Sequence, residues 1–183
     1  MIQLGLVNEL KDKLRDQALR DPLTGLHNRR YLEETLPREL KRAKRNGACL
    51  SVIMMNIDHF KTINDTYGHL VGDQTIKFIA NLLTSAARAS DITCRFGGDE
   101  ILLVMPDMTS TDALKRAEHI RQLCEDTSTS QANLERGLTM SFGVATYPEH
   151  GLQMDEILIK ADDALYQSKQ NGRNRVTLWQ LEY

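Results

Sequence analysis

Hydrophobic residues recur along the chain with two different spacings, and these spacings predict its helices and strands. Residues 2–20 carry apolar side chains at three- and four-residue steps, which predicts an amphipathic helix. Because the repeat is short, two interpretations stay open: the helix lies on its own domain, or it ends a coiled coil that continues upstream. Asp21-Pro22 breaks the pattern, so we divide the chain into a linker helix at 1–20 and a domain at 21–183.

Within this domain, apolar strands alternate with amphipathic helices. The run Leu50–Ile57 is mostly apolar and partly β-branched, as is typical of a strand that is buried on both faces. Gly97-Gly98 separates two short apolar runs, which predicts a β-hairpin. Polar residues at 58–72 and 127–133 predict loops. The other predicted elements are helices at 29–45, 73–88, 111–125 and 154–170, and strands at 92–96, 101–105, 138–147 and 175–179.

From 50 to 147 the elements follow the order β-α-β-β-α-β. This order predicts the split βαβ, ferredoxin-like arrangement of an α/β (α+β) domain, with a sheet that contains antiparallel strands and is flanked by helices. Its first strand lies in the centre of the sheet, beside the hairpin. The end of that strand, at Asn56–Asp58, therefore approaches the hairpin turn at Gly97–Glu100, and two distant segments form one site.

Composition and charge narrow the classes of function. Of the 183 residues, 41% are apolar and 26% charged, and the net charge is −2, so no broad basic groove is available for nucleic acid. No apolar run is long enough to span a bilayer. Cys49, Cys94 and Cys124 are odd in number and widely spaced, which favours free thiols in a reducing cytoplasm over disulfides or a zinc site.

The turn Gly97-Gly98-Asp99-Glu100 carries the most unusual chemistry of the chain. Its glycines permit positive φ angles and the close approach of another molecule. Its adjacent carboxylates repel one another unless a divalent cation shares them, and Mg²⁺ prefers oxygen ligands while keeping room for substrate phosphates. An ordinary solvated turn is the alternative, because short motifs often match by chance.

Two further polar segments add to this picture. Asn64–Asp73 is dense in hydrogen-bonding side chains that can read a purine edge, although Asp73 could instead cap the following helix. Lys169 and Arg173 flank Gly172, where they either hold phosphate or complement the C-terminus of a helix. Carboxylates, cations and a purine-reading loop together indicate a nucleoside triphosphate site and phosphoryl or nucleotidyl transfer.

Five segments of the chain occur together, in the same order, in one known family. They are Asp21–Arg29, Phe60–Asp73, Arg95–Ile101, Ser141–Val144 and Ala161–Asn174. They resemble the GGDEF domain of diguanylate cyclases, with the signature written here as GGDEI. The resemblance extends from Asp21 to about Val176, and its several independent motifs make it more specific than a single signature.

The resemblance implies a palm-like, nucleotidyl-cyclase-like fold and the condensation of two GTP molecules into cyclic di-GMP, with release of pyrophosphate. It implies a homodimer in which each domain binds one GTP, with the linker helix controlling the dimer geometry and an upstream sensory domain providing the input. Mg²⁺, or Mn²⁺ in its place, is the implied cofactor. No partner nucleic acid and no membrane segment are expected, and the implied location is cytoplasmic.

The resemblance also assigns roles to residues by motif position. The implied metal ligands are Asn56, the Ile57 carbonyl, Asp99 and Glu100. The implied catalytic residues are Asp99, Glu100 and Lys61, of which Lys61 also holds phosphate. The implied substrate-binding residues are Asn64 and Asp73 for guanine, Lys169 and Arg173 for phosphates, and His69, Gly97 and Gly98.

Arg88-Ala-Ser-Asp91 is similar to the RxxD motif at which the family binds its product as an inhibitor. The guanidinium of Arg88 can donate two parallel hydrogen bonds to a guanine edge or a phosphate, and Asp91 can accept hydrogen bonds from guanine N–H groups. An ion pair at the end of a helix is the alternative. The family often adds a second arginine on the following helix, and this chain has His119 there, with Arg116 and Arg121 close by.

Asn56 is the most serious departure from the family, which has a carboxylate at this position. An amide oxygen can ligate Mg²⁺, but it brings no negative charge. Side chains two positions apart on a strand share a face, so Asp58 is a candidate replacement ligand. Two hypotheses follow: an active cyclase, slow or tolerant of Mn²⁺, or a catalytically silent domain that binds GTP or cyclic di-GMP.

Overall fold

The structure is a computed structural model that describes residues 16–131 and 137–180, with the backbone alone at 128–131. The predicted linker helix therefore lies almost entirely outside the described residues, and only its last turn, at 16–18, is seen as helix. Arg20 then forms an antiparallel bridge with His27, so the chain folds back on itself before the first long helix.

Strands and helices alternate along the described chain, as the apolar pattern predicts. The strands are β1 (His27–Asn28), β2 (Leu50–Ile57), β3 (Ile92–Arg95), β4 (Glu100–Pro106), β5 (Met140–Tyr147) and β6 (Val176–Leu178). The helices are α1 (Arg29–Asn46), α2 (Phe60–Tyr67), α3 (His69–Ala86), α4 (Ser110–Gln131) and α5 (Met154–Gln170). The strands form one sheet in the order β1-β3-β4-β2-β5-β6.

The central position of β2 is confirmed. It pairs antiparallel with β4 on one side and with β5 on the other, while β3 and β4 form the predicted hairpin. Since β4 runs between β2 and β3 and opposite to both, these three strands make the split βαβ arrangement. The predicted α/β fold is therefore correct, and the short strands β1 and β6 extend the sheet in parallel at its two edges.

Every residue of β2 is buried, because its alternate side chains enter two different cores. Ile53, Met55 and Ile57 pack with residues of α3 and α4. Val52 and Met54 pack with residues of α1 and α5 on the opposite face of the sheet. This two-sided burial explains why the strand reads as a nearly continuous apolar run.

The backbones of β5 and α5 touch at Gly143. A Cβ atom at this position would overlap the carbonyl oxygen of Ala161 and the backbone nitrogen of Leu165, and it would lie 2.8 Å from the Leu165 α-carbon. These are backbone atoms, which cannot rotate out of the way as a side chain can. Only glycine lets the helix lie this close to the sheet, and the contact fixes α5 and the loop that follows it.

The prediction of a loop at 58–72 is wrong, because this segment forms α2 and the start of α3. Phe60 and Ile63 recur at a helical step and pack against the core, which outweighs the polarity of their neighbours. The N-cap of α3 is Gly68 and Asp73 lies inside the helix, so the interpretation of Asp73 as a cap is also wrong.

The predicted loop at 127–133 is helical at its beginning as well. Helix α4 continues to Gln131, because this polar segment contains neither glycine nor proline to interrupt it. The remaining predicted elements are confirmed, with bounds that differ by a few residues. Residues 132–136 lie outside the described ranges.

Candidate functional site

The end of β2 meets the hairpin turn in space. Asn56 lies opposite Glu100 in the β2–β4 pair and opposite Ser141 in the β2–β5 pair. Because directly opposed residues share one face of a sheet, the Asn56 carboxamide and the Glu100 carboxylate lie on the same face. The Ile57 N–H donates to the Asp99 carbonyl oxygen at 3.4 Å. The structure therefore brings the predicted metal-binding residues together.

Arg95 holds the hairpin turn in place. Its guanidinium donates to the Gly98 carbonyl oxygen at 2.8 and 3.1 Å and to the Asp21 carboxylate at 3.1 and 3.2 Å. The pKa of Asp21 is lowered: burial raises it, but hydrogen bonds from Thr24 and Arg95 outweigh the burial. Local sequence patterns could not reveal this contact, because Asp21 and Arg95 are 74 positions apart.

The two glycines of the turn have different surroundings, and neither has a φ angle in the left-handed region. A Cβ atom at Gly97 would lie 2.8 Å from Oε2 of Glu100. The Glu100 carboxylate can therefore occupy its position against the turn because residue 97 has no side chain. Gly98 is exposed, and a Cβ atom there would meet nothing within 4 Å. The turn therefore leaves open space on the side from which another molecule could approach its backbone.

The oxygen atoms of Asn56, Asp99 and Glu100 are suited to hold a divalent cation. Asn56 is 7% exposed, and its carboxamide makes no hydrogen bond with any residue that the structure describes. Asp99 and Glu100 are half-buried and form no ion pair within the described ranges. A buried amide without a partner, two carboxylates and the nearby Ile57 carbonyl fit Mg²⁺ that is also bound by substrate phosphates. Among the described residues no three His, Cys, Asp or Glu side chains cluster, so a cation held here would also take ligands from the amide and from substrate phosphates.

Asp58 does not replace Asn56 as a ligand, so this prediction is wrong. Asp58 is 5% exposed. Its Oδ1 accepts from the Ser141 hydroxyl at 2.6 Å, and its Oδ2 accepts from the Thr139 hydroxyl at 2.8 Å and from the Asn174 N–H at 3.0 Å. These partners belong to the β5 side of β2, whereas the hairpin carboxylates lie on the β4 side. The two-residue periodicity fails because Asp58 follows the last residue of β2, where the chain already turns into α2.

Helices α2 and α3 carry the residues predicted to bind guanine. They pack so closely that a Cβ atom at Gly72 would overlap Oδ1 of Asn64. This oxygen is buried and has no hydrogen-bond partner within the described part of the chain. Asp73 and His69 are exposed on α3, and Lys61 is exposed on α2. A buried acceptor beside an exposed carboxylate is suited to the N–H donors of a guanine edge.

The predicted phosphate-binding cations reach the same end of the sheet. Lys169 lies in the last turn of α5, and Arg173 is exposed in the loop that follows. The next residue, Asn174, donates its N–H to Asp58 at 3.0 Å. Because Asp58 directly follows β2, the loop with Arg173 is fastened to the strand end that carries the oxygens predicted to bind a metal ion.

An open cavity of about 380 Å³ lies beside α4, apart from this site. The side chains that line it are Arg88, Asp107, Met108, Asp112, Lys115, Arg116 and His119. Arg88 of the predicted product site and His119, the position of the family's second arginine, therefore face the same space. Three cationic side chains against two carboxylates make the cavity suited to an anionic ligand.

Asp91 makes its contacts inside the protein rather than with the side chain of Arg88. Its side chain is 1% exposed, its Oδ2 lies 3.9 Å from Nη2 of Arg116, and this oxygen accepts from the Arg88 N–H at 2.8 Å. Its Oδ1 is buried without a partner among the described residues. Arg116, which also donates to the Ala86 carbonyl, is thus the residue that joins Asp91 to the cavity.

Comparison with known proteins identifies the family to which this chain belongs. The chain matches the family model for the GGDEF domain of diguanylate cyclases over residues 18–175. This chain belongs to the GGDEF domain family. As a GGDEF domain it is 41% identical over 173 residues to the response regulator PleD of Caulobacter vibrioides, a match that covers 93% of this chain and 38% of PleD. It is 38% identical over 178 residues to the diguanylate cyclase DosC of Escherichia coli, covering 96% of this chain and 38% of DosC.

Solved GGDEF structures share the fold. The coiled coil and GGDEF domain of DgcB from Caulobacter crescentus, solved in complex with c-di-GMP, superposes with a TM-score of 0.87 at 30% identity. The superposition covers 97% of this chain and 94% of that one. The GGDEF chain spans 38% of the length of the curated relatives named above. None of its described helices is both long enough and apolar enough to cross a lipid bilayer.

Proposed function

We propose that this GGDEF domain condenses two molecules of GTP into cyclic di-GMP and releases two molecules of pyrophosphate. The observation that carries the proposal is the convergence of three features at one end of the sheet. These are the oxygen donors of Asn56 and Glu100, the unpartnered oxygen of Asn64 between α2 and α3, and the Arg173 loop fastened to β2. Membership of the GGDEF family and the likeness to DosC, which is named a diguanylate cyclase, support the reaction class.

Five side chains bind and orient the nucleotide. Asn64 and Asp73 accept hydrogen bonds from the N–H groups of guanine. Lys61, Lys169 and Arg173 neutralise the triphosphate, and the planar guanidinium of Arg173 can bind two phosphate oxygens at once. Excluding bulk water from these contacts strengthens them, because charges interact more strongly at a lower effective dielectric constant.

The hairpin turn and the end of β2 would hold the divalent cation. Asn56 and the Ile57 carbonyl would supply oxygen ligands from the strand, and Asp99 and Glu100 would supply them from the turn. When bound there, Mg²⁺ or Mn²⁺ neutralises the negative charge that develops on the reacting phosphate. Glu100 shares a sheet face with Asn56, which supports a role for its carboxylate in accepting the proton of a 3′-hydroxyl group.

The reaction requires two domains that face each other as a homodimer. The 3′-hydroxyl oxygen of one GTP attacks the α-phosphorus of the other, and a new O–P bond forms. The bond between the α-phosphorus and the bridging oxygen of the β-phosphate breaks, pyrophosphate leaves, and the hydroxyl proton passes to Glu100. A second attack in the opposite sense closes the ring. Because the dimer holds both nucleotides in line, the attack does not require a bimolecular encounter between two free GTP molecules.

The cavity beside α4 is the proposed inhibitory site for cyclic di-GMP. Arg88, Arg116 and His119 line it and offer donors to guanine edges and phosphate oxygens. The DgcB structure, which is similar over most of its length, was solved in complex with c-di-GMP. That likeness supports product binding by the GGDEF fold.

A silent nucleotide-binding domain is the second candidate, and Asn56 is the observation that favours it. Asn56 adds no negative charge and Asp58 is engaged elsewhere, so only the turn supplies carboxylates. Mg²⁺ sites usually combine one or two carboxylates with substrate phosphates. The turn still meets that requirement with Asp99 and Glu100, and we therefore favour the active cyclase.

The experiment measures cyclic di-GMP formed from GTP by the concentrated protein, in Mg²⁺ and in Mn²⁺, by chromatography. We expect product from the unmodified protein and a rate about tenfold higher in Asn56→Asp, equivalent to about 1.4 kcal/mol of transition-state stabilisation. Asn81→Asp adds the same charge at an exposed position of α3 and serves as the control. Absence of product from the unmodified protein, with activity in Asn56→Asp, would establish the silent domain. Absence of product from both proteins contradicts the cyclase proposal.

A further inference from the structure

The loop after α5 has backbone conformations that its residues do not favour by themselves. Arg173 and Asn174 have φ angles of 62° and 46°, in the left-handed region, and Gly172 before them has a φ of 109°. Asparagine tolerates the left-handed region better than most residues, whereas an arginine there is unusual. The surrounding structure must therefore hold this loop in place.

Asn174 is held at three of its atoms. Its N–H donates to Oδ2 of Asp58 at 3.0 Å, its Oδ1 accepts from Nη1 of Arg121 at 2.8 Å, and its Nδ2 donates to Oε1 of Glu125 at 2.9 Å. A carboxamide offers an acceptor and a donor on one short side chain, which matches a cation and a carboxylate at the same time. Asn174 thus ties the end of β2 to α4.

The groups that hold Asn174 are themselves fixed. The Arg121 side chain is 14% exposed and donates to Glu118 at 2.8 Å and to Glu125 at 2.7 Å. Hydrogen bonds with Glu118, followed by those with Glu125, raise the pKa of Arg121 above its already high ordinary value. Asp58 is buried and is held by two hydroxyl groups on the β5 side. Asp58 and Arg121 are therefore both held by other residues, and they are fixed points for the contacts of Asn174.

The side chain of Arg173, in contrast, has no anchor of its own. It is exposed and forms no ion pair within the described ranges. Its backbone N–H donates to the Ser168 carbonyl at 3.0 Å, and the next residue is Asn174. The direction in which Arg173 leaves the loop is therefore set by the backbone, and Asn174 fixes that backbone.

We propose that Asn174 is a positioning residue, which holds Arg173 at a fixed distance from the metal-binding end of β2. This inference rests on the proposed function, in which Arg173 binds the triphosphate of GTP. The link is short: Asp58 follows Ile57, whose carbonyl is a proposed metal ligand, and Asn174 follows Arg173. The hydrogen bond from the Asn174 N–H thus joins the neighbour of a proposed metal ligand to the neighbour of a proposed phosphate ligand, and the two side-chain contacts with α4 hold that N–H in position.

Two variants separate the side chain of Asn174 from its neighbourhood. Asn174→Gly adopts the left-handed conformation without strain and keeps the N–H that Asp58 accepts, while it loses both contacts with α4. Asn171→Ala is the matched control. Asn171 is exposed at the end of the same helix with a φ of −82°, and its side chain makes no hydrogen bond with a described residue.

The measurement is binding of 3′-deoxy-GTP with Mg²⁺ by calorimetry, together with KM and kcat for cyclic di-GMP formation. We expect Asn174→Gly to weaken binding about tenfold, as for one displaced charge-assisted contact, and to raise KM with kcat nearly unchanged. Arg173→Ala should weaken binding similarly, and Asn171→Ala should not. Because Asn174 acts through Arg173, adding Asn174→Gly to Arg173→Ala should weaken binding no further.

Unchanged binding in Asn174→Gly, or a further loss in the double variant, overturns the positioning role. If the unmodified protein fails to bind 3′-deoxy-GTP, the proposed function fails as well. If it binds, and Arg173→Ala weakens binding while Asn174→Gly does not, only the positioning role fails. Thermal unfolding establishes that each variant is folded. Should Asn174→Gly not fold, Asn174→Asp, which keeps the acceptor for Arg121 and loses the donor to Glu125, carries the same test.

Discussion

Arg95 and Asp21 are 74 positions apart in the chain, and their side chains meet at 3.1 Å with each only 17% exposed. The same guanidinium donates to the carbonyl oxygen of Gly98. One side chain therefore joins the opening turn of the domain to the hairpin that carries the acidic signature. Removing one partner of a shielded ion pair leaves the other charge poorly solvated, so the contact should depend on both residues.

Arg95→Met is expected to lower the free energy of unfolding by about 2 kcal/mol, because Asp21 and the Gly98 carbonyl lose a charged donor. It should also raise KM for GTP, since the turn is no longer held. Arg30→Met is the control: Arg30 pairs with Glu34 at 3.4 Å, but its side chain is 73% exposed, and its loss should cost less than about 0.5 kcal/mol. Urea denaturation measures both variants, and equal losses would contradict the role given to Arg95.

Gly143→Ala is expected to lower the free energy of unfolding by about 3 kcal/mol, at the upper end of the range for overpacking. The added methyl group would meet backbone atoms of α5, which cannot yield without moving the helix. Gly98→Ala places the same methyl group where nothing lies within 4 Å and should leave thermal unfolding nearly unchanged. If the two variants unfold at the same temperature, the close approach of α5 to β5 is not rigid.

Stability should fall in mild acid because of His150. This residue is 6% exposed, and its Nδ1 accepts a hydrogen bond from the Thr146 N–H at 2.9 Å, which requires a neutral ring. Burial lowers the pKa of His150 below the ordinary value of 6.5, so the unfolded chain takes up a proton before the folded protein does. The free energy of unfolding should therefore decrease as pH falls from 6.5 towards the lower pKa of the folded state.

His150→Asn keeps an acceptor and removes this titration, so its free energy of unfolding should change less between about pH 7 and pH 5. His27, whose pKa burial also lowers, remains in both proteins and accounts for part of the dependence that is left. Urea denaturation across this pH range measures the difference. An equal pH dependence in the two proteins would exclude His150 as the cause.

His119→Arg is expected to tighten binding of cyclic di-GMP about tenfold in the cavity beside α4. The reason is that a permanently charged guanidinium, which can donate two parallel hydrogen bonds, replaces an imidazole. Arg88→Ala should have the opposite effect and abolish measurable binding of cyclic di-GMP in this cavity. Arg38→Ala removes an exposed cation from α1, which covers the other face of the sheet, and should have no effect. Calorimetric titration with cyclic di-GMP tests all three. Unchanged affinity in Arg88→Ala would place product binding elsewhere.

The strands could be predicted from the sequence because burial leaves a local pattern. In β2 both faces are covered, so an uninterrupted apolar run marks the strand. The segment 58–72 carries a weaker pattern: in α2, Phe60 and Ile63 face the core, and their polar neighbours resemble a loop. Its polar side chains could still be predicted to bind a nucleotide, because ligand-binding residues are often polar whether they lie on a loop or on a helix.

Contacts between distant segments could not be predicted, because no local pattern encodes them. The alternation of side chains on a strand suggests that Asp58 accompanies Asn56, but β2 ends at Ile57 and the alternation ends with it. Asn174 looks like an ordinary turn residue until α4 brings Arg121 and Glu125 beside it. The sequence shows which residue types are present, and the fold decides which of them meet.

The backbone amides of β2 are covered on both edges by neighbouring strands and on both faces by apolar cores. Amides in such a position exchange with deuterium only when the whole domain opens, so their rate reports the global free energy of unfolding. A ligand that binds only the folded state makes that opening rarer, in proportion to its concentration over its Kd. The amides of Met54 and Met55 can therefore report GTP binding in a domain that forms no product.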